Sequence, residues 1–361
     1  MNVTYNSASI QPPNGITNAS GTESHFTEPV ASKVFRLVVF SIIILASLLG
    51  NSLVLKSVLE LPRTYKPFTY YLVGNMAVAE IISSICLPFT MVYAETHSWI
   101  FGQFPCRLII PLQVTAIIVV TSDMAAIAIY RYRVMTSPLK KQVKTSVMLA
   151  VIGGIWLVAF VLSLPLAVTR ILVEHPLGHK VCMSKFPIGD QKNYTIVRFV
   201  LSYIAPYLVM LCSYGAVAVK LRRRQLRRNL DEVSEITMTT TTSRSNSYAD
   251  PRAAIYVRPR AASNLKSGSV HKSSVELERD LLRMIYAIIL SFVVCYIPYQ
   301  ALFLWEHIVG INNSYHFRYQ AMLRQYFYVL TCYPSALHPL CYGTMNRFFA
   351  RAFSKIVMCR R

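Results

Sequence analysis

Residues 37–55 read LVVFSIIILASLLGNSLVL, and no charged side chain interrupts them. A helix needs about 20 apolar residues to cross the hydrocarbon core of a bilayer, and the wider run 34–59 is long enough. Further runs of the same kind lie at 67–93, 104–135, 146–169, 196–221, 281–305 and 322–345. Lipid admits only helices and closed barrels, and these runs are too long for barrel strands. The pattern therefore predicts an all-α membrane protein, a bundle of seven transmembrane helices.

The composition of the chain also indicates a membrane protein. Hydrophobic residues make up 54% of the chain and charged residues 15%, whereas soluble domains carry about 25% charged residues. The formal net charge of +21 raises the alternative of nucleic-acid binding. The basic residues, however, lie between the apolar runs and form no face of a soluble domain. We therefore expect a lipid bilayer as partner, and no nucleic acid.

Lysine and arginine are unevenly divided between the two sides of the predicted bundle. The connections after the first, third and fifth runs and the tail after the seventh are dense in them, and the other connections are sparse. The dense side includes Arg63, Lys66, Arg133, Lys140, Lys141, Arg222, Arg223, Arg351 and Lys355. Basic loops stay in the cytoplasm, so we predict a plasma-membrane protein with its amino terminus outside and its carboxyl terminus inside.

Glycosylation sequons agree with this orientation. All of them fall on the predicted outer side, and their acceptors are Asn2, Asn18, Asn193 and Asn312. A three-residue pattern also arises by chance, so which of these acceptors carries a glycan stays open.

We divide the chain into three parts on this basis. Residues 1–33 are predicted to be an extracellular glycosylated segment, 34–345 the seven-helix domain, and 346–361 a cytoplasmic tail. Residues 222–279 form the longest connection, rich in serine, threonine and arginine, and we predict disorder there because it has few large apolar side chains to bury. It is either a phosphorylated regulatory loop or a soluble linker.

Short motifs stand at fixed places within the runs. They are Gly50-Asn51, Asn75–Glu80 (NMAVAE), Cys106, Tyr130-Arg131-Tyr132, Trp156, Pro206 with Tyr214, Phe292, Cys295–Pro298 (CYIP) and His338–Tyr342 (HPLCY). In this order they resemble the motifs of rhodopsin-like (class A) G-protein-coupled receptors over nearly all of 34–361. The resemblance implies a receptor that transmits ligand binding outside to a heterotrimeric G protein inside, by movement of the inner ends of helices five to seven.

The resemblance assigns Arg131 to coupling. In the family this arginine rests against an acid at the inner end of the sixth helix, a position that Glu278 occupies here. A charged pair at the membrane edge is a two-state latch, closed at rest and open when the helix moves. The alternative is that Glu278 is a solvated loop charge. Other switch positions implied by the family are Tyr214, Tyr296, Pro298, Pro339 and Tyr342.

Two further features follow from the family pattern. Cys106 and Cys182 are expected to form a disulfide in the oxidising exterior, which would hold the following outer loop over the pocket. After the last run, residues 347–355 (RFFARAFSK) place phenylalanines on one helical face and basic residues on the other. This predicts a short amphipathic helix in the inner membrane interface, with Cys359 as a palmitoylation site.

The chain also departs from the family pattern. Tyr130 replaces the acid before Arg131, which leads us to expect raised basal signalling. Glu80 replaces the family's aspartate and His338 the asparagine of the seventh helix; with Asn51 they form the predicted buried polar core, and we expect the pair to replace a sodium site. Asp123 is a second buried acid to which the sequence assigns no partner.

The ligand class follows from the third helix. Gln113 stands where amine receptors carry an aspartate, so we do not expect an ammonium ligand. It resembles the glutamine of neuropeptide Y, RFamide and orexin receptors. By family position, the pocket candidates are Gln113, Tyr299, Gln300, Phe303, Arg324 and Tyr328. We therefore expect a peptide ligand.

Two other classes of protein remain as alternatives. Tyr130 favours a decoy or scavenger that binds ligand without signalling, whereas Arg131 and Tyr342 weigh against it. A transporter lacks support because we find no internal repeat. No motif points to an enzyme, a metal or a cofactor. Arrestin and receptor kinases are further partners that the family implies.

Overall fold

The computed structural model describes residues 28–60, 68–136, 143–174, 178–187, 190–245, 283–284, 286–306 and 320–358. Several positions singled out above lie outside these residues, namely Asn2, Asn18, Arg63, Lys66, Lys140, Lys141, Glu278, Asn312 and Cys359.

Seven helical spans follow one another along the chain. The first four are α1 (Val30–Leu59), α2 (Phe68–Thr96), α3 (Gln103–Thr136) and α4 (Thr145–Thr169). An antiparallel hairpin of β1 (Arg170–Glu174) and β2 (Lys180–Ser184) leads to the fifth span, in which α5 (Asp190–Phe199) continues through a π-helical segment (Val200–Ile204) into α6 (Ala205–Ser245). The sixth and seventh spans are α7 (Tyr286–Glu306) and α8 (Gln320–Met345), and the short α9 (Arg347–Val357) follows.

The surface of these helices fits a bilayer environment. Within the described residues, 6 helices are long and apolar enough to cross a membrane: α1 to α4, the fifth span over Asp190–Arg224, and α7. The more polar α8 packs against α1 and completes the bundle. Large apolar side chains on α4, such as Leu157, Phe160 and Leu164, are exposed, as expected where lipid is the solvent. The predicted seven-helix membrane bundle is confirmed.

The centre of the bundle is α3, which packs against α2, α4 and α6. Its buried side chains join one apolar core with residues of the neighbouring helices, among them Val54, Leu72, Met124, Phe292 and Tyr342. The core is continuous from α1 to α9, so a displacement of one helix must be accommodated by repacking its neighbours.

The π-helical segment lies directly before Pro206. There the backbone N–H of Ala205 bonds to the carbonyl of Val200, five residues earlier. Proline has no backbone N–H and its ring displaces the preceding carbonyl, so the helix widens locally. The wide turn buries Ser202 and Tyr203.

A close approach of two helices explains the glycine of the first motif. A Cβ placed on Gly50 would stand 2.7 Å from Cβ of Pro339. Only hydrogen fits in that space, so α1 can lie directly against the proline of α8.

The disorder predicted for 222–279 is wrong in its first part, because α6 continues to Ser245. Residues 221–236 (LRRRQLRRNLDEVSEI) contain mostly leucine, arginine and glutamate, which favour helix, and the preceding span supplies the nucleus. The prediction of disorder was based on composition and took no account of this helix propensity. Residues 246–279 lie outside the described part of the chain.

The helix expected after the last span is present as α9. The Asn346 side chain accepts a hydrogen bond from the Phe348 N–H at 2.9 Å and caps its start. Phe349 is fully buried against Tyr342, whereas Arg347, Arg351 and Lys355 are exposed. The helix is therefore amphipathic, as predicted.

Candidate ligand pocket and switch residues

One end of the bundle carries a disulfide, and we call it the disulfide end. Cys106 at the start of α3 bonds to Cys182 of β2, with their Cα atoms 5.8 Å apart. The predicted bridge is confirmed. Trp99 lies under the hairpin, where its indole N–H donates to the Gly102 carbonyl at 2.8 Å and its backbone N–H to the Lys180 carbonyl. The hairpin is thus fastened to the connection between α2 and α3.

Below the hairpin, a polar contact joins α3 to α8. The Gln113 amide donates to the Tyr328 hydroxyl at 2.9 Å, and that hydroxyl lies 3.0 Å from Thr90 Oγ1 on α2. Gln113 is only 8% exposed. Three helices therefore present neutral polar groups to one another in an apolar setting, where each hydrogen bond is costly to leave unmade.

Aromatic rings surround this polar contact. The Tyr299 ring centroid lies 5.9 Å from that of Tyr328 and 6.5 Å from that of Phe303. Gln300, the next residue, hydrogen-bonds Tyr203 of the π-helical segment. The structure thus brings five of the predicted pocket residues together: Gln113, Tyr299, Gln300, Phe303 and Tyr328.

Arg324 is placed differently from the other candidates. Its guanidinium pairs with the Glu306 carboxylate at 2.6 Å, and its side chain is 46% exposed. The Gln320 amide donates to the same carboxylate at 2.8 Å. This cluster ties α7 to α8 at the rim of the pocket.

The floor of the pocket is Tyr296. Its ring stacks on Phe292 with centroids 4.0 Å apart, and the ring of Tyr203 lies 5.9 Å away. This contact links α7 to the fifth span at the level of the π-helical segment.

Beneath the floor lies a polar core inside the bundle. Glu80 on α2 and His338 on α8 are almost fully buried, and His338 Nδ1 lies 2.7 Å from Glu80 Oε1. Asn51 on α1 donates to the Ser335 carbonyl at 2.9 Å. The three residues predicted as a polar core therefore connect α1, α2 and α8.

A second buried polar cluster is centred on Asn75. Its amide nitrogen donates to Asp123 Oδ2 at 2.8 Å, and its amide oxygen accepts from the Trp156 indole at 2.9 Å. Asp123 is fully buried. The partner of this acid, which sequence reasoning did not find, is thus an asparagine on α2 that also holds α4.

The opposite end of the bundle, which carries α9, is closed by basic residues of α6. The Lys220 ammonium donates to the Thr136 carbonyl at 3.0 Å and the Arg224 guanidinium to the Met135 carbonyl at 2.8 Å. Both acceptors lie in the last turn of α3, where unpaired carbonyls favour cations. Arg131, one turn earlier, lies close enough to Tyr214 for their electrostatic interaction to matter. Tyr342 is buried beside Met76 and Phe349.

Comparison with known proteins decides what this bundle is. The sequence profile of the family described as "7 transmembrane receptor (rhodopsin family)" matches residues 50–342, most of the chain. The chain belongs to the rhodopsin family of seven-transmembrane receptors.

Three relatives show which receptors of this family the chain is similar to. The neuropeptide Y receptor type 2 of Mus musculus is 24% identical over 349 residues, which span 93% of this chain and 79% of that receptor. The type 6 receptor of Oryctolagus cuniculus is 23% identical over 362 residues, 94% of this chain and 86% of that receptor. The type 2 receptor of Gallus gallus is 29% identical over 205 residues, 54% of this chain and 53% of that receptor. The resemblance to rhodopsin-like receptors, and among them to neuropeptide receptors, is confirmed.

Residues that sequence reasoning missed have weak local signals. Thr90 and Tyr203 resemble ordinary helix residues, and only the contacts to Tyr328 and Gln300 bring them into the pocket. The proline three residues after Tyr203 was a usable signal, since a widened turn before a proline often lies at a functional site.

The receptor also has an ion-pair network at the disulfide end. Arg36, which is 5% exposed, pairs with Glu28 at 2.8 Å and with Glu95 at 2.5 Å, and Lys33 pairs with Glu95 at 2.9 Å. Burial raises the pKa of the Glu28 carboxyl, but hydrogen bonds from Arg36 and Ser32 and the Arg36 charge outweigh it, so the pKa lies below its usual value.

Because of this network, we predict that part of the receptor's free energy of unfolding is lost in acid. Because the folded-state pKa of Glu28 is lowered, its contribution is present above the unfolded pKa of about 4.3 and is lost as pH falls through the folded value. Glu28→Gln is expected to unfold at a lower temperature than the unaltered receptor near pH 7, and the two should converge as pH falls through the lowered pKa of Glu28. Thermal unfolding in detergent across this range measures the difference. A difference that does not change with pH would contradict it, and Glu174→Gln, in an exposed pair, should show none.

Proposed function

We propose that this receptor binds an extracellular peptide and activates a heterotrimeric G protein. The observation that carries the proposal is the contact of Gln113 with Tyr328 among aromatic rings, since a neutral amide in place of an acid suits peptide groups and not an ammonium ligand. The relatives named neuropeptide Y receptors support a peptide.

The proposed site of action is the plasma membrane, with the disulfide end outside. An outer position suits the Cys106–Cys182 bridge, which persists in an oxidising setting, and the exposed Asn193 near the same end. Asn2, Asn18 and Asn312 are the other proposed glycan acceptors. The amphipathic α9 would then lie on the inner leaflet beside the proposed palmitoylation site Cys359.

The proposed transmission runs from Tyr296 to the α9 end. A peptide that displaces Tyr296 would move α7 against the fifth span, and bends at Pro298 and Pro339 would let the inner ends swing outward. Arg131, Tyr214, Glu278 and Tyr342 are the proposed coupling residues, and arrestin and receptor kinases are proposed further partners.

A second candidate, a decoy that binds peptide without signalling, is favoured by Tyr130. Its ring packs on Phe68 with centroids 4.7 Å apart, in place of an acid beside Arg131. Agonist-stimulated nucleotide exchange on purified G proteins separates the two candidates: exchange supports the signalling receptor, and binding without exchange supports the decoy.

The test of the proposed function is a peptide screen on cells that express the full chain. Amidated and free-acid neuropeptides are applied, and calcium and cyclic nucleotide levels are read. For any active peptide, Gln113→Leu is expected to lower potency about 10-fold, because it leaves the Tyr328 hydroxyl short of a donor. Arg131→Ala should keep peptide binding and lose the response. Binding by no peptide at all would contradict the proposal.

The tie between α6 and α3 yields a separate prediction about basal activity. Lys220→Gln combined with Arg224→Gln should raise basal nucleotide exchange about 3-fold or more, because the carbonyls at the end of α3 lose the cations that hold the two helices together. Arg222→Gln combined with Arg223→Gln removes the same charge from exposed positions of α6 and should leave basal exchange unchanged. Equal effects of the two pairs would mean that charge alone matters.

A further inference from the structure

Two arginines at the disulfide end pair with no acid among the residues that the structure describes. Arg170 begins β1, and Arg198 lies near the end of α5. Among the described residues, neither guanidinium has a carboxylate within ion-pairing distance, and no acceptor lies within hydrogen-bonding distance of the solvent-inaccessible Nε of either one. Both side chains are half-buried, and a buried guanidinium nitrogen normally has an acceptor.

Most of the described acidic residues at the disulfide end already pair with other cations. Glu28 and Glu95 pair with Arg36, Glu306 with Arg324, and Glu174 lies 3.8 Å from Lys180. Asp190 begins α5, about 12 Å along the helix from Arg198, given 1.5 Å per residue. The positive charge of the arginine pair is therefore not balanced by the described part of the receptor.

The position of Arg170 is fixed by its neighbours. Its Nη1 donates to the Cys182 carbonyl at 3.2 Å, and its own carbonyl accepts from Gln103 at 3.2 Å and from Arg107 at 3.1 Å. The disulfide-bonded strand and α3 thus hold the guanidinium in place. A preorganised guanidinium binds an anion with little further loss of entropy.

The two guanidinium groups lie close enough to influence each other. Burial lowers the pKa of Arg170, the charge of Arg198 lowers it further, and the hydroxyls of Tyr93 and Tyr194 oppose these effects. Arg198 also interacts electrostatically with Tyr203 and Tyr299, which line the pocket. Arg198 therefore lies near Tyr203 and Tyr299, and Arg170 lies near Arg198.

We propose that Arg170 and Arg198 bind an anionic group of the peptide ligand. An anion between the two would offset their mutual repulsion and supply an acceptor for the Nε that each guanidinium group leaves without one. A carboxylate and a sulfate ester share this chemistry, whereas an amidated terminus does not. The inference rests on the proposed function, because it presupposes a ligand in this pocket.

The first test reads anion binding without any G protein. The purified full-length receptor is unfolded thermally with the α-amide of N-acetyltyrosine sulfate, with the α-amide of N-acetylglutamate, or with the neutral α-amide of N-acetylglutamine, at equal ionic strength. We expect at least one anion to raise the unfolding temperature by about 3 °C at saturation, and the neutral probe to have no effect. A shift with the sulfate alone indicates a sulfated ligand, and a shift with the carboxylate indicates an acidic side chain or a free terminus.

Variants decide whether the arginines are responsible. Arg198→Gln should remove most of the anion-induced shift, and Arg170→Lys, which keeps the charge and loses the fork of donors, should reduce it. Lys192→Gln removes a charge from an exposed position of the same helix and should leave the shift intact. The absence of any shift in the unaltered receptor, or a shift that persists in Arg198→Gln, would overturn the proposal.

A second test connects the site to signalling once the screen yields an active peptide. Neutralising the acidic group of that peptide should lower its potency about 10- to 100-fold on the unaltered receptor and far less on Arg198→Gln. Equal losses on both receptors would show that the acid binds elsewhere. If no peptide signals, the thermal test still reads the arginine site, so failure of the proposed function and failure of this inference are distinguishable.

Discussion

His338→Leu is expected to destabilise the receptor by about 3–5 kcal/mol, the usual cost of removing one partner of a buried pair. His338 Nδ1 lies 2.7 Å from Glu80 Oε1, and both side chains are withdrawn from solvent inside the bundle. Lipid surrounds the bundle, so the carboxyl left by the substitution has no water to bond. The loss is measured as a fall in unfolding temperature in detergent and as reduced cell-surface expression.

The double substitution is the decisive control. Glu80→Leu combined with His338→Leu removes both polar groups, and most of the stability lost in the single variant should return. If the double variant were less stable than either single one, the pair would not be a coupled unit. By the family pattern, the pair stands where other members hold a sodium ion, and we propose that it replaces this site. Agonist affinity should then be independent of sodium, and a clear sodium effect would contradict the proposal.

Asn75→Leu is expected to destabilise the receptor by about 3 kcal/mol, because one substitution removes the partners of the buried Asp123 carboxyl and of the half-buried Trp156 indole. The Asn75 amide donates to Asp123 at 2.8 Å and accepts from the Trp156 indole at 2.9 Å, so α2, α3 and α4 lose their shared contact. Thermal unfolding of the purified variant measures the loss.

Asp123→Asn is the matched control for this cluster. Among the described residues, Asn75 is the sole donor to the Asp123 carboxyl, and Oδ1 has no partner. An asparagine there keeps an oxygen for the Asn75 donor and carries no ionisable group, so little stability should be lost. A loss as large as that of Asn75→Leu would show that the carboxylate itself is needed.

The two buried clusters differ in how far the sequence reveals them. Glu80 and His338 each replace a family residue at a position known to face the other, so the pair was predicted and the geometry agrees with it. Asp123 has no such substitution to point to its partner. Asn75 lies in a motif shared with the family, and only the packing of α2 between α3 and α4 shows that it serves both of them.

For a related reason, the sequence predicted some of the pocket residues and not others. Gln113, Tyr299 and Tyr328 follow from family positions, and the helices bring them together. Arg324 follows from the same positions, yet its nearest partner is Glu306 at the rim. Arg170 and Arg198 lie in sparsely charged outer connections and belong to none of the family motifs. Their lack of acids depends on where Glu28, Glu95 and Glu306 find partners, which is a property of the assembled bundle.

The sequence by itself determined that lipid surrounds this protein and that the chain crosses the bilayer seven times. It also determined the disulfide and the amphipathic helix after the last span. Each of these depends on apolar length, charge or periodicity within one segment, or on a motif at a fixed place, so no long-range contact has to be known. The tertiary structure alone decided which buried polar groups meet and which charges stay unpaired. In an apolar interior a polar group binds whichever partner the helix packing brings within reach, and spacing along the chain does not specify that partner.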